Sequence, residues 1–256
     1  MSFININIIQ FIGYKLKSNL KAEASKNYLG FFWWLMEPAL MLGVFYLVFG
    51  VLLDYGREGF GSYLLVGIAF WLVFSNTINN CGNAIQSGSG ILQQVYIPKW
   101  VFPIVVVLSH YTKFIFVLVV LFAYLFYSGI KVTESWTAVL YLLPIYLFFI
   151  MGTAFFVASI VPIFPDIKFI IQAGIQMLMF ASGIFYDYSM IPEKYMEVFL
   201  LNPVAAGIFE FRNILLSGVF PTTGTLIYLV SWGVGLMILG LSILHIFDRR
   251  YPRFVL

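Results

Sequence analysis

The sequence predicts an all-α polytopic membrane protein: an N-terminal amphipathic interface helix, six transmembrane helices, and short re-entrant helices between the fifth and sixth spans. Three observations lead there. The 256 residues are 62% hydrophobic and only 10% charged, where a soluble domain carries about 25% charged residues. The mean hydropathy of +0.96 describes more apolar surface than a soluble fold of this length can hide. Apolar runs of about 20 residues, the length that crosses a bilayer, recur along the chain.

Residues 1–28 form the first unit of the reading and 29–256 the second. In the first, Ile8, Ile9, Ile12, Leu16 and Leu20 recur at helical spacing while Lys15, Lys17, Lys21 and Lys26 occupy other positions. That pattern suits an amphipathic helix lying in the interface, its lysines toward headgroups and water; a frayed tail is the competing reading. The junction is Asn27-Tyr-Leu-Gly-Phe-Phe-Trp-Trp-Leu-Met-Glu-Pro38. Indole has an apolar body and one N–H donor, so Trp33 and Trp34, followed by Glu37 and Pro38, read as anchors at the headgroup level.

Spans are expected at about 31–53, 63–82, 101–127, 138–163, 169–186 and 225–247. Lysine and arginine then set the orientation. One set of flanks holds Lys15, Lys17, Lys21, Lys26, Lys99, Lys168, Arg249, Arg250 and Arg253. The other holds Arg57, Lys131, Lys194 and Arg212. This asymmetry places both termini in the cytoplasm, with six crossings.

Between the second and third spans, residues 86–99 read as a surface segment. The glycines of Gln86-Ser-Gly-Ser-Gly90 break the helix, and Ile91-Leu-Gln-Gln-Val-Tyr-Ile97 forms a short helix stopped by Pro98. The Gly-Ser run lacks the Gly-Lys-[Ser/Thr] ending of a phosphate loop. In Pro162-Ile-Phe-Pro-Asp-Ile-Lys168, the prolines end the fourth span and Asp166 is placed to N-cap the next helix. Residues 187–217 are too polar to span and too apolar for a solvated loop. They read as two short helices dipping back from the outer face, with Asn202-Pro203 at their turn and Arg212 beyond it.

Polar residues inside spans are costly and therefore informative. Asn76, Asn79, Asn80, Asn83 and Gln86 recur on one side of the second span. They read either as a polar wall lining a channel or as helix–helix hydrogen bonds. Lys113, one turn from His110, is an intramembrane charge that should face a partner or water and is a further candidate for the channel lining, with Glu37 a candidate partner; snorkelling to the boundary is the alternative. No catalytic site is expected: Gly-x-Ser-x-Gly, Asp-x-Asp and His-Glu-x-x-His are absent from the sequence. His110 and His245 do not make a metal spacing, and the single Cys81 excludes an intramolecular disulfide. The net charge of +3 is too small to suggest nucleic acid binding.

Together, Leu29-Gly-Phe-Phe-Trp-Trp-Leu-Met-Glu-Pro38, Ile97-Pro98-Lys99, Phe164-Pro-Asp-Ile167, Leu201-Asn-Pro203, Arg212 and the basic C-terminus resemble a known family. It is the type-2 ABC exporter permeases of the O-antigen, capsular polysaccharide and teichoic acid group, and the resemblance covers essentially the whole chain. It implies a homodimer on two copies of a separate ATPase that binds ATP and Mg, with no cofactor in this chain. The complex would move lipid-linked polysaccharide through a channel at the dimer axis. It also implies ATPase contacts through Ile91, Leu92, Gln93, Gln94, Tyr96, Pro98 and Lys99, through Pro165 and Asp166, and through the N-terminal helix. The family usually reads Phe-Arg-Asp-Ile where this chain has Pro165, so the guanidinium that could pair with an ATPase is missing. Two other readings share some features: an ABC permease for drugs or small lipids, and a membrane-bound glycan-modifying transferase.

Overall fold

The computed structural model describes residues 7–26, 30–54, 59–92, 95–248 and 250–251, apart from the side chain of Lys26. Expectations resting on Asn27, Tyr28, Leu29, Arg57, Glu58, Gln93, Gln94, Arg249 and Arg253 lie outside the described residues. The described residues form helices and no strand: α1 (Ile8–Lys26), α2 (Trp33–Phe45, running on as a π-helical turn to Leu52), α3 (Phe60–Cys81), α4 (Ser89–Leu92) and α5 (Val101–Tyr127). There follow α6 (Val139–Ile160), α7 (Ile167–Ala181), α8 (Glu193–Leu200), α9 (Pro203–Arg212, continued as a π-helical turn to Ser217) and α10 (Thr223–Phe247).

Five of these are long and apolar enough to cross a bilayer: Gly30–Leu52, Phe60–Cys81, Val101–Tyr127, Glu134–Ile160 and Thr223–Phe247. The expected fifth span, 169–186, is different. Helix α7 has only 15 residues, about 22 Å at 1.5 Å per residue against a hydrocarbon core of about 30 Å. Gly183, at φ +66°, takes the left-handed conformation that carries the chain away from the helix. After it come α8 and α9, bent by 112° at the Asn202-Pro203 turn. That bend is local chemistry. Pro203 stands at the first helical position, and Asn202 Oδ1 accepts from Val204 N–H at 3.0 Å.

Helix α3 is apolar nearly all round, the pattern of an interior helix. Its spanning window is 78% buried, against 6% for α2 and 17% for α10. So α3 is the axis of the bundle, and α2 and α10 present apolar faces that lipid or another protein must cover. An aromatic knot ties two elements to it. Phe70 of α3 stacks on Phe211 of α9 at 3.6 Å between ring centroids. Tyr146 of α6 meets both rings edge-on, and its hydroxyl donates to the Phe70 carbonyl at 3.2 Å.

Helices α6 and α10 are the most extensively paired elements. Small residues make this possible, since in lipid close backbone approach replaces the hydrophobic effect as the cause of association. A Cβ on Gly152 would strike the Gly233 backbone, and one on Gly240 would lie 2.7 Å from the carbonyl carbon of Phe155. At one end of the bundle a second apolar cluster gathers Ile8, Phe11 and Ile12 of α1, Val101 and Phe102 of α5, Leu244 of α10, and Tyr251. Ile9, expected on the buried stripe of α1, is 81% exposed; Phe11 takes its place.

Two local expectations fail for identifiable reasons. The Gly-Ser run does not break the chain ahead of a helix over Ile91–Ile97. It is itself helical, as a turn at Gln86–Gly88 leading into α4, and Tyr96–Pro98 is non-helical. Gly88 allows this because the Phe102 ring occupies the space a Cβ would need. Asp166 stands at the N-terminal boundary of α7 but makes no side-chain cap. Capping needs an extended backbone, and Asp166 is already helical at φ −67°, ψ −23°.

The α6–α10 seam predicts that Gly152→Leu or Gly240→Leu destabilises the protein by about 1–3 kcal/mol, the usual cost of overpacking. Thermal unfolding in detergent measures it, and an unchanged midpoint in both variants would show that the seam is not a close backbone contact.

Candidate functional site

A cavity of about 260 Å³ opens between α1, α2, α3 and α5. Helical periodicity assembles it: Trp33 and Glu37 lie one turn apart on α2, Asn76 and Asn80 one turn apart on α3, and His110 and Lys113 one turn apart on α5. Glu37 does not pair with Lys113. Its Oε2 accepts from the Asn76 amide at 3.1 Å, while Lys113 Nζ reaches Glu23 Oε1 of α1 at 2.6 Å. Glu23 wins because α1 lies along α5 and brings a carboxylate to the ammonium. The Lys113 ammonium also stands 5.6 Å from the Trp34 ring. Trp34 is buried, with Phe31 edge-on at 4.9 Å, whereas Trp33 is 48% exposed. Pro38 is buried beside them.

The asparagine row of α3 divides between two places. Asn76 and Asn80 line the cavity, with the Asn80 amide donating to the Asn76 backbone carbonyl at 2.8 Å. Asn79 turns instead toward a crevice with Val157, Val161, Lys168 and Gln172, where its Oδ1 is buried without a hydrogen-bond partner. Asn83 is half-buried and Gln86 exposed, both past the end of α3.

At the same end of the bundle, residues 95–99 are held by Asp248, just past α10. Its Oδ2 accepts from the Tyr96 hydroxyl at 2.6 Å, and its Oδ1 accepts from the Lys99 backbone N–H at 3.3 Å. The Lys99 ammonium lies 3.7 Å from the same carboxylate and 4.6 Å from the Tyr96 ring centroid. Lys99 is only 2% exposed, so burial pushes its ammonium below the ordinary lysine value, and Asp248 pulls it back up. Ile91 and Leu92 pack on the second cluster, as does Ile163 next to the exposed Phe164, Pro165 and Asp166. Pro98 is half-buried between these surfaces.

Arg212 governs the far end. Its guanidinium is 3% exposed and donates to three backbone carbonyls: Tyr63 at 3.1 and 3.2 Å, Gly183 at 2.6 Å and Ile184 at 2.9 Å. It lies 3.5 Å from the Tyr63 ring centroid and 5.2 Å from that of Tyr188. Gly67 leaves it room, since a Cβ there would collide with the guanidinium. Glu210, 1% exposed, accepts from Thr222 N–H at 3.2 Å and Thr222 Oγ1 at 2.7 Å, pinning the start of α10 to α9. A further cavity of about 300 Å³, lined by Phe60, Tyr63, Phe185, Tyr186, Asp187 and Met190, opens beside this clamp.

Sequence reasoning missed Glu23, Asp248 and Glu210 as structural partners. Glu23 had a signal: it is the only acidic residue before Glu37. Asp248 was hidden among the arginines of a basic tail.

The Asp248 contacts predict that Asp248→Ala releases residues 95–99. Losing charged hydrogen bonds to buried groups costs about 1–3 kcal/mol, so trypsin should cut after Lys99 about tenfold faster or more. Amine labelling of Lys99 should move to lower pH, because the carboxylate that raises its pKa is gone. Unchanged cleavage and labelling would show that Asp248 does not hold the segment.

The ABC-2 type transporter family model matches residues 12–216. Two proteins described as O-antigen export system permease protein RfbA are similar along almost their whole length. The Klebsiella pneumoniae protein is 24% identical over 91% of this chain and 90% of its own, and the Myxococcus xanthus protein 26% identical over 93% and 92%. The polysialic acid transport protein KpsM of Escherichia coli is 24% identical over 88% of each chain. The apolar helices, the polar residues set among them and the extent of the match together make this chain a multi-pass membrane protein of the ABC-2 type transporter family.

Proposed function

We propose that this chain is the permease subunit of an ATP-driven exporter moving lipid-linked, O-antigen-like polysaccharide across a bacterial cytoplasmic membrane. The observation that carries the reading is similarity to O-antigen and polysialic acid exporters over about nine-tenths of the chain. The cavity is consistent with it, since a sugar polymer needs hydrogen-bond partners inside an apolar wall and Asn76, Asn80 and Glu37 supply them.

In this reading two copies of the chain form the channel on two copies of a separate ATPase, which binds ATP and Mg and carries out hydrolysis. Both termini face the cytoplasm. Helix α1, residues 91–99 and the loop Phe164–Asp166 form the surface that meets the ATPase. The clasp on Asp248 gives that surface rigidity: a push on Tyr96 or Lys99 is transmitted to α10 rather than absorbed by a loose loop. The bent pair α8–α9 would sit at the outer face, where irregular backbone survives only if protein satisfies its polar groups.

Co-expression with a neighbouring ATPase subunit, then purification and hydrolysis assays, tests the proposal. Expected are co-purification and stimulation by a lipid-linked polysaccharide but not by a small-molecule drug panel. Deleting residues 91–99 should abolish co-purification. Stimulation by drugs alone would favour a small-molecule permease, and survival of the complex after the deletion would remove those residues from the ATPase contact.

A further inference from the structure

We infer that the cavity between α1, α2, α3 and α5 is a binding site for a single neutral sugar ring, with Glu37 as its principal hydrogen-bond acceptor, and that Glu23 keeps phosphate out by occupying Lys113. The export reading enters only as the source of the sugar; the site is argued from its own groups.

The hydrogen-bond inventory decides the ligand class. Lys113 is the cation lining the cavity, and Glu23 holds it at 2.6 Å. Glu37 has a neutral amide as its hydrogen-bonding partner, at 3.1 Å, so most of the acceptor capacity of its carboxylate is unspent. One N–H of the Asn80 amide is committed to the Asn76 carbonyl, leaving its oxygen as a further acceptor beside its second N–H. Among the described residues the lining sets one cation against two carboxylates, so it repels an anion and favours a neutral ligand that brings donors. Hydroxyl groups are such donors, and bonds from them to a carboxylate belong to the strong class.

Shape supports the same choice. The half-exposed Trp33 offers a flat apolar ring to the C–H face of a pyranose. A volume of about 260 Å³ is just below the range of about 300–1,000 Å³ for ligand pockets, so it suits one ring rather than a length of polymer. A carboxylate on an apolar helix, with no cation on it among the described residues, points to a functional site.

Two photoreactive probes with the same diazirine-bearing alkyl chain, one ending in a glucoside and one in a phosphate monoester, test this on the full chain in nanodiscs. Crosslinked peptides are mapped by mass spectrometry. The glucoside should label the segments around Trp33–Pro38 and Asn76–Asn80, and the phosphate should label them more weakly. Glu37→Gln keeps an acceptor for Asn76 but loses the charge, and should lower glucoside labelling about tenfold. Glu23→Gln frees Lys113 and should raise phosphate labelling. Stronger phosphate labelling of the unaltered protein, or glucoside labelling unaffected by Glu37→Gln, would overturn the assignment. Labelling as expected with no ATPase partner would remove the export reading and leave the sugar site standing; a glycan-stimulated complex with no labelling would remove the site alone.

Discussion

Inside a bilayer no backbone carbonyl can turn to water, so each break in a helix must be answered by a donor from the protein. In this chain one such break follows α7, where Gly183 and Ile184 leave the helical ladder, and the donor is Arg212. One planar guanidinium satisfies both of those carbonyls and that of Tyr63 in the first turn of α3. Five donors in a fixed fork suit this task, and a lysine's point charge would not. The cation is stabilised further by the faces of Tyr63 and Tyr188. The position of α9 against the bundle axis, and through Glu210 and Thr222 the start of α10, follow from that contact.

The two ends of the molecule are built on different chemistry. At the Arg212 end, the buried charges Arg212 and Glu210 are spent on holding elements together. At the other end, charge is left partly available: Glu37 has one amide partner, and the exposed Tyr96 ring lies over a lysine that is itself buried. Between them runs α3, whose apolar circumference makes it the common packing partner of α2, α5, α6 and α9.

Much of this architecture is legible in the sequence because span length and apolar content are summed quantities that tolerate local error. The long apolar helices α3, α5, α6 and α10 follow from them. Over 169–186 the helix is shorter than the apolar run, because apolar residues continue past Ala181 although the helix does not; composition cannot see a left-handed Gly183. Charge pairing failed for a different reason. Lys113 and Glu37 look like neighbours in depth, but the choice between Glu37 and Glu23 depends on α1 folding back along α5, which no spacing within either segment encodes. Periodicity likewise puts Asn76, Asn79, Asn80 and Asn83 on one side of a helix, and only the neighbours of α3 send Asn79 elsewhere. The resemblance carried by Leu29–Pro38, Asn202-Pro203 and Arg212 reached the family without any of these contacts.

Hydrogen exchange in nanodiscs, comparing the unaltered chain with Arg212→Lys, tests the central constraint most directly. The substitution keeps the charge and removes the fork. If Arg212 holds the break together, amides from Ser182 to Tyr188 and along α9 should exchange faster while those of α5 and α6 stay unchanged. Equal protection of these segments in both proteins would contradict the account, because it would mean that the break is satisfied without the guanidinium.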